Sequence, residues 1–181
     1  MTKVINLLGG SGTGKSTLAA GLFYEMKKMG LEAELVNEYV KKWAWTGRKV
    51  GALDQVYIFG KQAKSEHDLY GKVDYIITDS PLLLSPIYEK YYSSDGESIV
   101  ESSVLAHIAK AEENGVTHLN FLIPRTKPFN PKGRFETEEA AKMIDSLVES
   151  YLIKKDIPFT RLTNVEHDDK VQEILKLVGV I

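Results

Sequence analysis

Eight residues, Gly9-Gly-Ser-Gly-Thr-Gly-Lys-Ser16, constrain this chain more than any other stretch. They follow the apolar run Val4-Ile-Asn-Leu-Leu8 and precede Thr17-Leu-Ala-Ala-Gly-Leu-Phe-Tyr24. A G-x-x-x-x-G-K-[ST] pattern therefore falls between a strand and a helix, the setting of a phosphate-binding loop. The glycines let the backbone curl until successive N–H groups point inward and form a nest for a triphosphate. The helix that starts there adds the positive end of its dipole. Gly10, Ser11, Gly12, Thr13, Gly14, Lys15, Ser16 and Thr17 are the expected nucleotide contacts. Lys15 supplies a point charge for the β- and γ-phosphates, and the Ser16 hydroxyl a ligand for Mg²⁺.

A loop of this kind needs a sheet behind it, and the rest of the chain offers one. Short apolar runs at Lys3–Leu8, Ala33–Asn37, Tyr75–Asp79, His118–Pro124 and Phe159–Leu162 alternate with helical patterns. Helical spacing relates Val100, Val104, Leu105 and Ile108, then Ala140, Ile144, Leu147 and Tyr151, then Val171, Ile174, Leu175 and Val178. Thr137, followed by Glu138 and Glu139, reads as a helix start. Continuous apolar strands alternating with helices predict a three-layer α/β sandwich on a five-stranded parallel sheet, the P-loop NTPase fold. The length of 181 residues suits one domain over 1–181 with one buried core.

Composition excludes several chemistries. The chain has no cysteine, hence no disulfide, thiolate nucleophile or cysteine metal site, which fits a reducing cytosol. A net charge of −2 argues against bulk attraction to nucleic acid or anionic membrane while leaving room for a local basic face. The apolar N-terminal run enters the phosphate loop directly and reads as a core strand, not a signal peptide, and no run reaches membrane-spanning length. His67, His107, His118 and His167 lack metal-ligand spacing. Asp68-Leu-Tyr-Gly71 looks like a GTPase switch only superficially, and no Asn-Lys-x-Asp guanine-reading motif exists.

In parallel α/β sheets ligands sit at the carboxyl ends of strands, so the residues there carry the functional reading. Asp79 ends the third strand, where Mg²⁺ needs a carboxylate across from Ser16. Ser80 follows it in place of the water-activating glutamate of many ATP-driven motors, which favours phosphoryl transfer over hydrolysis. Glu38 follows the second strand and reads either as the base for an attacking hydroxyl or as a surface carboxylate. After it, Tyr39, Trp43 and Trp45 interleave with Lys41, Lys42, Arg48 and Lys49, with Lys61 further along. That pattern suits a base or nucleotide, with Tyr39, Trp43 and Arg48 as substrate contacts; the alternative is that both tryptophans pin the segment to the core. Gln55 or Gln62, on a helix from about Leu53 to Tyr70, offers an amide to a base edge. Tyr88, Tyr91 and Tyr92 read as a half-buried helix face. The loop Ile123-Pro-Arg-Thr-Lys-Pro-Phe-Asn-Pro-Lys-Gly-Arg134 is too rich in proline for a helix and carries four cations. It reads as a solvated loop or as a mobile lid over 125–135, with Arg125 and Arg134 closing on the phosphoryl group.

Together these landmarks resemble the small P-loop kinases. The phosphate loop, Glu-Tyr after strand two, a glutamine-bearing helix, Asp-Ser after strand three and a Lys-Pro-Phe…Gly-Arg lid are similar to the ribosylnicotinamide kinase domain of bacterial NAD-biosynthesis regulators. They also resemble ATP-binding proteins of tailed phages, some thought to phosphorylate hydroxymethylated DNA bases. The resemblance implies a Mg²⁺–ATP-dependent kinase of a nucleoside, nucleotide or related ribosyl compound, with Lys15, Glu38, Asp79, Arg125 and Arg134 catalytic. It implies Ser16 and Asp79 as metal ligands, and a cytoplasmic protein, in the host cytoplasm if phage-encoded. By analogy with deoxynucleoside kinases, Glu38 is the base and Gln55 or Gln62 the base reader. The competing readings are a kinase of 5-hydroxymethylated pyrimidine in DNA, and an ATPase or nucleotide switch without acceptor.

Overall fold

The structure is a computed structural model that describes residues 1–94 and 97–181. Its centre is strand β1 (Lys3–Leu8), five of whose six residues are buried. β1 pairs in parallel with β3 (Tyr75–Thr78) on one side and β4 (Thr117–Leu122) on the other. β2 (Ala33–Val36) adds outside β3, and β5 (Thr160–Arg161) outside β4, giving the order β2-β3-β1-β4-β5. The chain thus leaves β1 toward one edge and later crosses to the other. The crevice above β1 is the point where the strand order reverses and ligands bind.

Strands buried on both faces need helices on both faces. Ile5, Leu7, Ile77 and Phe121 meet Leu18, Leu22 and Met26 of α1 (Lys15–Lys28) and Val171, Ile174 and Leu175 of α7 (His167–Leu177). On the opposite face Leu8 and Leu122 pack with α3 (Asp54–His67), α4 (Leu84–Tyr92), α5 (Glu101–Glu113) and α6 (Glu138–Lys154). A short helix, α2 (Lys41–Trp45), bridges β2 and α3. Thr137 caps α6, its hydroxyl accepting from the Ala140 N–H at 3.3 Å. None of the helices among the described residues is long and apolar enough to cross a membrane.

The sequence pattern extends four of the five strands slightly beyond their paired length. β2 stops at Val36 and β3 at Thr78 because the next groups leave the ladder: Asp79 turns its carboxylate onto the Glu38 N–H at 2.9 Å. β4 ends at Leu122, before Pro124, which has no N–H to give.

A polar layer runs through the face beneath α3 and α5. The Asn6 amide donates to Asn120 Oδ1 at 2.9 Å, and Gln62 donates to Thr78 Oγ1 at 3.2 Å. Gln62 is therefore a buried strut between α3 and β3. One turn further along α3, Glu66 is fully buried. Tyr70 Oη donates weakly to its Oε2 at 3.4 Å, and Oε1 has no partner among the described residues. Burial pushes the Glu66 carboxyl up to about 8, while the Tyr70 hydrogen bond pulls weakly the other way.

A carboxyl raised by folding stabilises the native state fully below its unfolded value, and that stability is lost as pH rises through the folded value. Glu66 thus costs stability progressively between pH 4.5 and about 8. Thermal melts of Glu66→Gln across this range should show a flatter pH dependence than the parent and a higher melting temperature at pH 8. Equal slopes in the two proteins would show that Glu66 is not buried as an acid.

Candidate functional site: a phosphate loop facing an acid-rich cleft

The loop after β1 is shaped by glycine where the backbone demands it. Gly12 and Gly14 have φ of 86° and 95°, a region L-residues rarely occupy. Gly10 is required for a different reason: a Cβ there would lie 2.6 Å from the Ala141 carbonyl and 2.7 Å from Asp145 Oδ1. Gly14 caps α1 without any side-chain hydrogen bond, and the first turn holds no acid. The N-terminal N–H groups of α1 are thereby kept for an anionic ligand.

Lys15 folds over this loop, donating to the Gly9 and Gly10 carbonyls at 2.7 and 2.8 Å. Burial lowers its pKa, and the carboxylates of Glu38, Asp79, Asp145 and Glu136 oppose that shift. Glu38 stands on the other side of the cleft, its carboxyl raised by burial and pulled back chiefly by Lys15. Asp79 is 3% exposed. Ser16 Oγ accepts from Lys41 Nζ at 2.9 Å. Among the described residues no cluster of three or more carboxylates or histidines could cage a metal alone. One hydroxyl and one carboxylate fit Mg²⁺, which keeps several waters and completes its shell with substrate phosphates.

The cleft is continuous from the loop to an aromatic wall. Ser11, Gly12 and Gly14–Thr17 line its phosphate end; Glu38, Val50, Gln55, Tyr88 and Tyr92 line the other; Gly133–Glu136 close one side. Tyr92 Oη donates to Glu136 Oε1 at 2.9 Å. Burial raises both tyrosine pKa values, helped at each by Glu136, so both hydroxyls stay protonated donors. Tyr88, Tyr92, Glu136 and Asp145 were not selected by sequence reasoning. The i, i+4 spacing of Tyr88 and Tyr92 on α4 is the one signal that two rings share a face.

Other expected site residues lie outside the cleft wall. Tyr39 Oη meets Tyr57 Oη at 2.7 Å. Trp43 is buried among Val40, Ile58 and Phe135, so its indole pins α2 to α3. Arg48 sits 3.4 Å from the centre of the Trp43 ring and pairs with Asp54 at 3.2 Å. Of the expected acceptor contacts, Gln55 alone lines the cleft. The two loop arginines also separate. Arg134 lines the cleft and reaches Ser11 Oγ at 3.3 Å. Arg125 instead grips the back of the loop: its Nε donates to Asp145 Oδ2 at 2.7 Å and its Nη2 to the Ser11 carbonyl at 2.8 Å. The same Asp145 accepts the Gly10 N–H at 2.6 Å through its other oxygen. A salt bridge and a loop amide thus share one carboxylate, and Arg125 is not directed over the cleft.

Residues 4–170 match a family described as AAA domain. The chain belongs to that family. No curated protein matches the chain. Solved structures share its fold at low identity. A Mycobacterium tuberculosis APS kinase aligns with TM-score 0.54 and 13% identity over 98% of this chain and 97% of its own. Deoxyadenosine kinase from M. mycoides aligns with TM-score 0.61 and 20% identity over 99% of this chain and all of its own. NadR in complex with NR aligns with TM-score 0.71 and 14% identity over 99% of this chain, which spans about half (52%) of that protein. The architecture is thus the α/β P-loop fold shared by these kinases.

The shared carboxylate makes Asp145 a positioning residue for the loop. Asp145→Ala removes a charge-assisted acceptor from Gly10 and frees Arg125, and should weaken ATP binding about tenfold or more by calorimetry. Asp145→Asn, which can still accept the Gly10 N–H, should recover part of the loss. Unchanged affinity in both variants would show that the loop holds its shape without this contact.

Proposed function

We propose that this chain is an ATP-dependent phosphotransferase that moves the γ-phosphoryl group to a hydroxyl of a nucleoside, nucleotide or related ribosyl compound. One observation carries the reading: Lys15 and Glu38 face each other across one cleft whose far wall is aromatic and hydrogen-bonding. A protein that only bound or hydrolysed ATP has no need of a second, carboxylate-bearing compartment beside the phosphate loop. Kinases among the proteins that share this fold agree with this reading.

The residues divide the work by chemistry. The amides of Gly12–Ser16 and the ammonium of Lys15 hold the β- and γ-phosphates of the donor. Ser16 and Asp79 would hold Mg²⁺, which supplies charge neutralisation along the phosphates when bound. Lys41 must then yield the Ser16 hydroxyl it now contacts. Glu38 accepts the proton of the attacking hydroxyl, and its raised pKa makes it a stronger base than an ordinary carboxylate. Arg134, on the 125–135 segment that we assign as a lid within a single 1–181 domain, stabilises charge on the transferring group. Gln55 offers its amide to the acceptor, and Tyr88 and Tyr92 offer faces and hydroxyl donors.

The direct test incubates the protein with radiolabelled ATP, Mg²⁺ and a panel of nucleosides, nucleotides and ribosyl compounds. Acceptor-dependent transfer of label is expected, and hydrolysis with no labelled acceptor would instead identify an ATPase. Lys15→Ala should abolish transfer with the fold retained. Glu38→Gln should slow transfer by roughly 10²- to 10⁴-fold while leaving ATP affinity near the parent value. In the parent, kcat should fall on the acid side at a pH above the ordinary carboxylate range, and that limb should vanish in Glu38→Gln. Loss of acceptor affinity alone would make Glu38 a binding residue.

A further inference from the structure

Charge is distributed unevenly along this chain. Residues 39–64 hold six cations, Lys41, Lys42, Arg48, Lys49, Lys61 and Lys64, against one acid, Asp54, although the whole chain is at −2. All six cations are exposed. Arg48 takes up Asp54, and Lys64 pairs with Asp68. Lys42, Lys49 and Lys61 form no ion pair among the described residues. This cationic excess lies on α2, α3 and the turn between them, and of the six only Lys41 lines the cleft.

Aromatic rings lie between these cations. Tyr39 meets Tyr57 edge to face at 5.5 Å, and Tyr57 lies parallel to Trp43 at 6.3 Å. Lys42 stands 5.9 Å over Tyr39 and Lys61 5.5 Å over Tyr57. Tyr57 is 46% exposed and Trp45 69%. Partly exposed rings, flanked by ammonium groups without an ion-pair partner, combine base stacking with phosphate attraction, the two terms that hold a single strand. An apolar partner protein would have to bury those charges unpaired.

The same segment is continuous with the cleft. Lys41, Val50, Gln55 and Ile58 line it, and Trp45 packs so closely on Gly133 that a Cβ there would lie 2.5 Å from the indole. The interior of the cleft sets Glu38, Asp79 and Glu136 against Lys15 and Arg134, whereas its rim carries cations in excess. A free nucleoside would use the interior alone. We infer that the rim binds single-stranded nucleic acid and delivers one nucleotide of it to the cleft. The inference rests on the kinase reading for the fate of that nucleotide, and on the surface alone for binding.

The test measures anisotropy of fluorescein-labelled DNA and RNA single strands of about 12 nucleotides, within the site sizes such surfaces cover, without ATP. The expected result is binding tighter than that of a labelled mononucleotide, weakening log-linearly as salt rises. Lys42→Glu with Lys61→Glu should reduce affinity at least about tenfold, and Tyr57→Ala at least about fivefold, with ATP affinity unchanged in both. A wild-type protein that binds the strands no better than the mononucleotide, or independently of salt, overturns the proposal. So does tighter binding to a duplex of the same sequence, or a charge-reversed variant that retains ATP affinity and binds like the parent. Strand binding without phosphoryl transfer to any acceptor would refute the kinase reading and leave the surface standing. Transfer to free nucleosides with no strand binding would do the reverse.

Discussion

Everything functional in this molecule depends on the burial of β1. It is hydrogen-bonded to a parallel strand on each side and covered by helices on both faces, so its end is the most fixed point in the fold. The phosphate loop leaves that point and inherits its position. Parallel pairing also sets β3 beside β1 with all strand ends on one side, which brings Asp79 and, through its hydrogen bond to the Glu38 amide, the end of β2 into the same crevice.

Within that crevice, the protein's own charged and polar groups partner one another. Lys15 is half-buried, feels the charge of four carboxylates and is bonded to loop carbonyls, and Lys41 is held on Ser16. Each of these contacts occupies a group suited to phosphate or metal. The protein's own cations and carbonyls thus keep the buried charges partnered until phosphate oxygens, which satisfy the same donors, take their place.

Much of this was legible in the sequence because strand ends are legible. Continuous apolar runs located all five strands, and the fold then put Lys15, Ser16, Glu38 and Asp79 on one side of the sheet. Direction was not legible. Arg125 and Arg134 look equivalent in a cationic loop, yet one faces the cleft and the other the back of the loop, a choice made by Asp145 some twenty residues away on α6. Trp43 had two readings, and the sequence could not say that Ile58 and Phe135 would close over its ring. Tyr88 and Tyr92 share a helical stripe with core residues, and spacing alone does not show which end of the stripe meets solvent. Asp145 reads as an ordinary helix acid because its partners, Gly10 and Arg125, are 135 and 20 residues distant.

The Asp145 contacts also determine where the 125–135 segment can bend. Arg125 is tied on two sides, to α6 and to the Ser11 carbonyl, with little of its side chain open to solvent. Swinging it outward would break a largely buried ion pair and strip a hydrogen bond from the phosphate loop. A pivot for a lid would therefore lie beyond it, past Thr126, which Lys170 holds at 3.2 Å, and the far anchor is Thr137 at the cap of α6. Between these two posts the segment is short, and Trp45 bears on it at Gly133. A lid on this segment, held at both ends and touched in the middle, would rock about a line through its posts, and α2 would travel with it through the Trp45 contact.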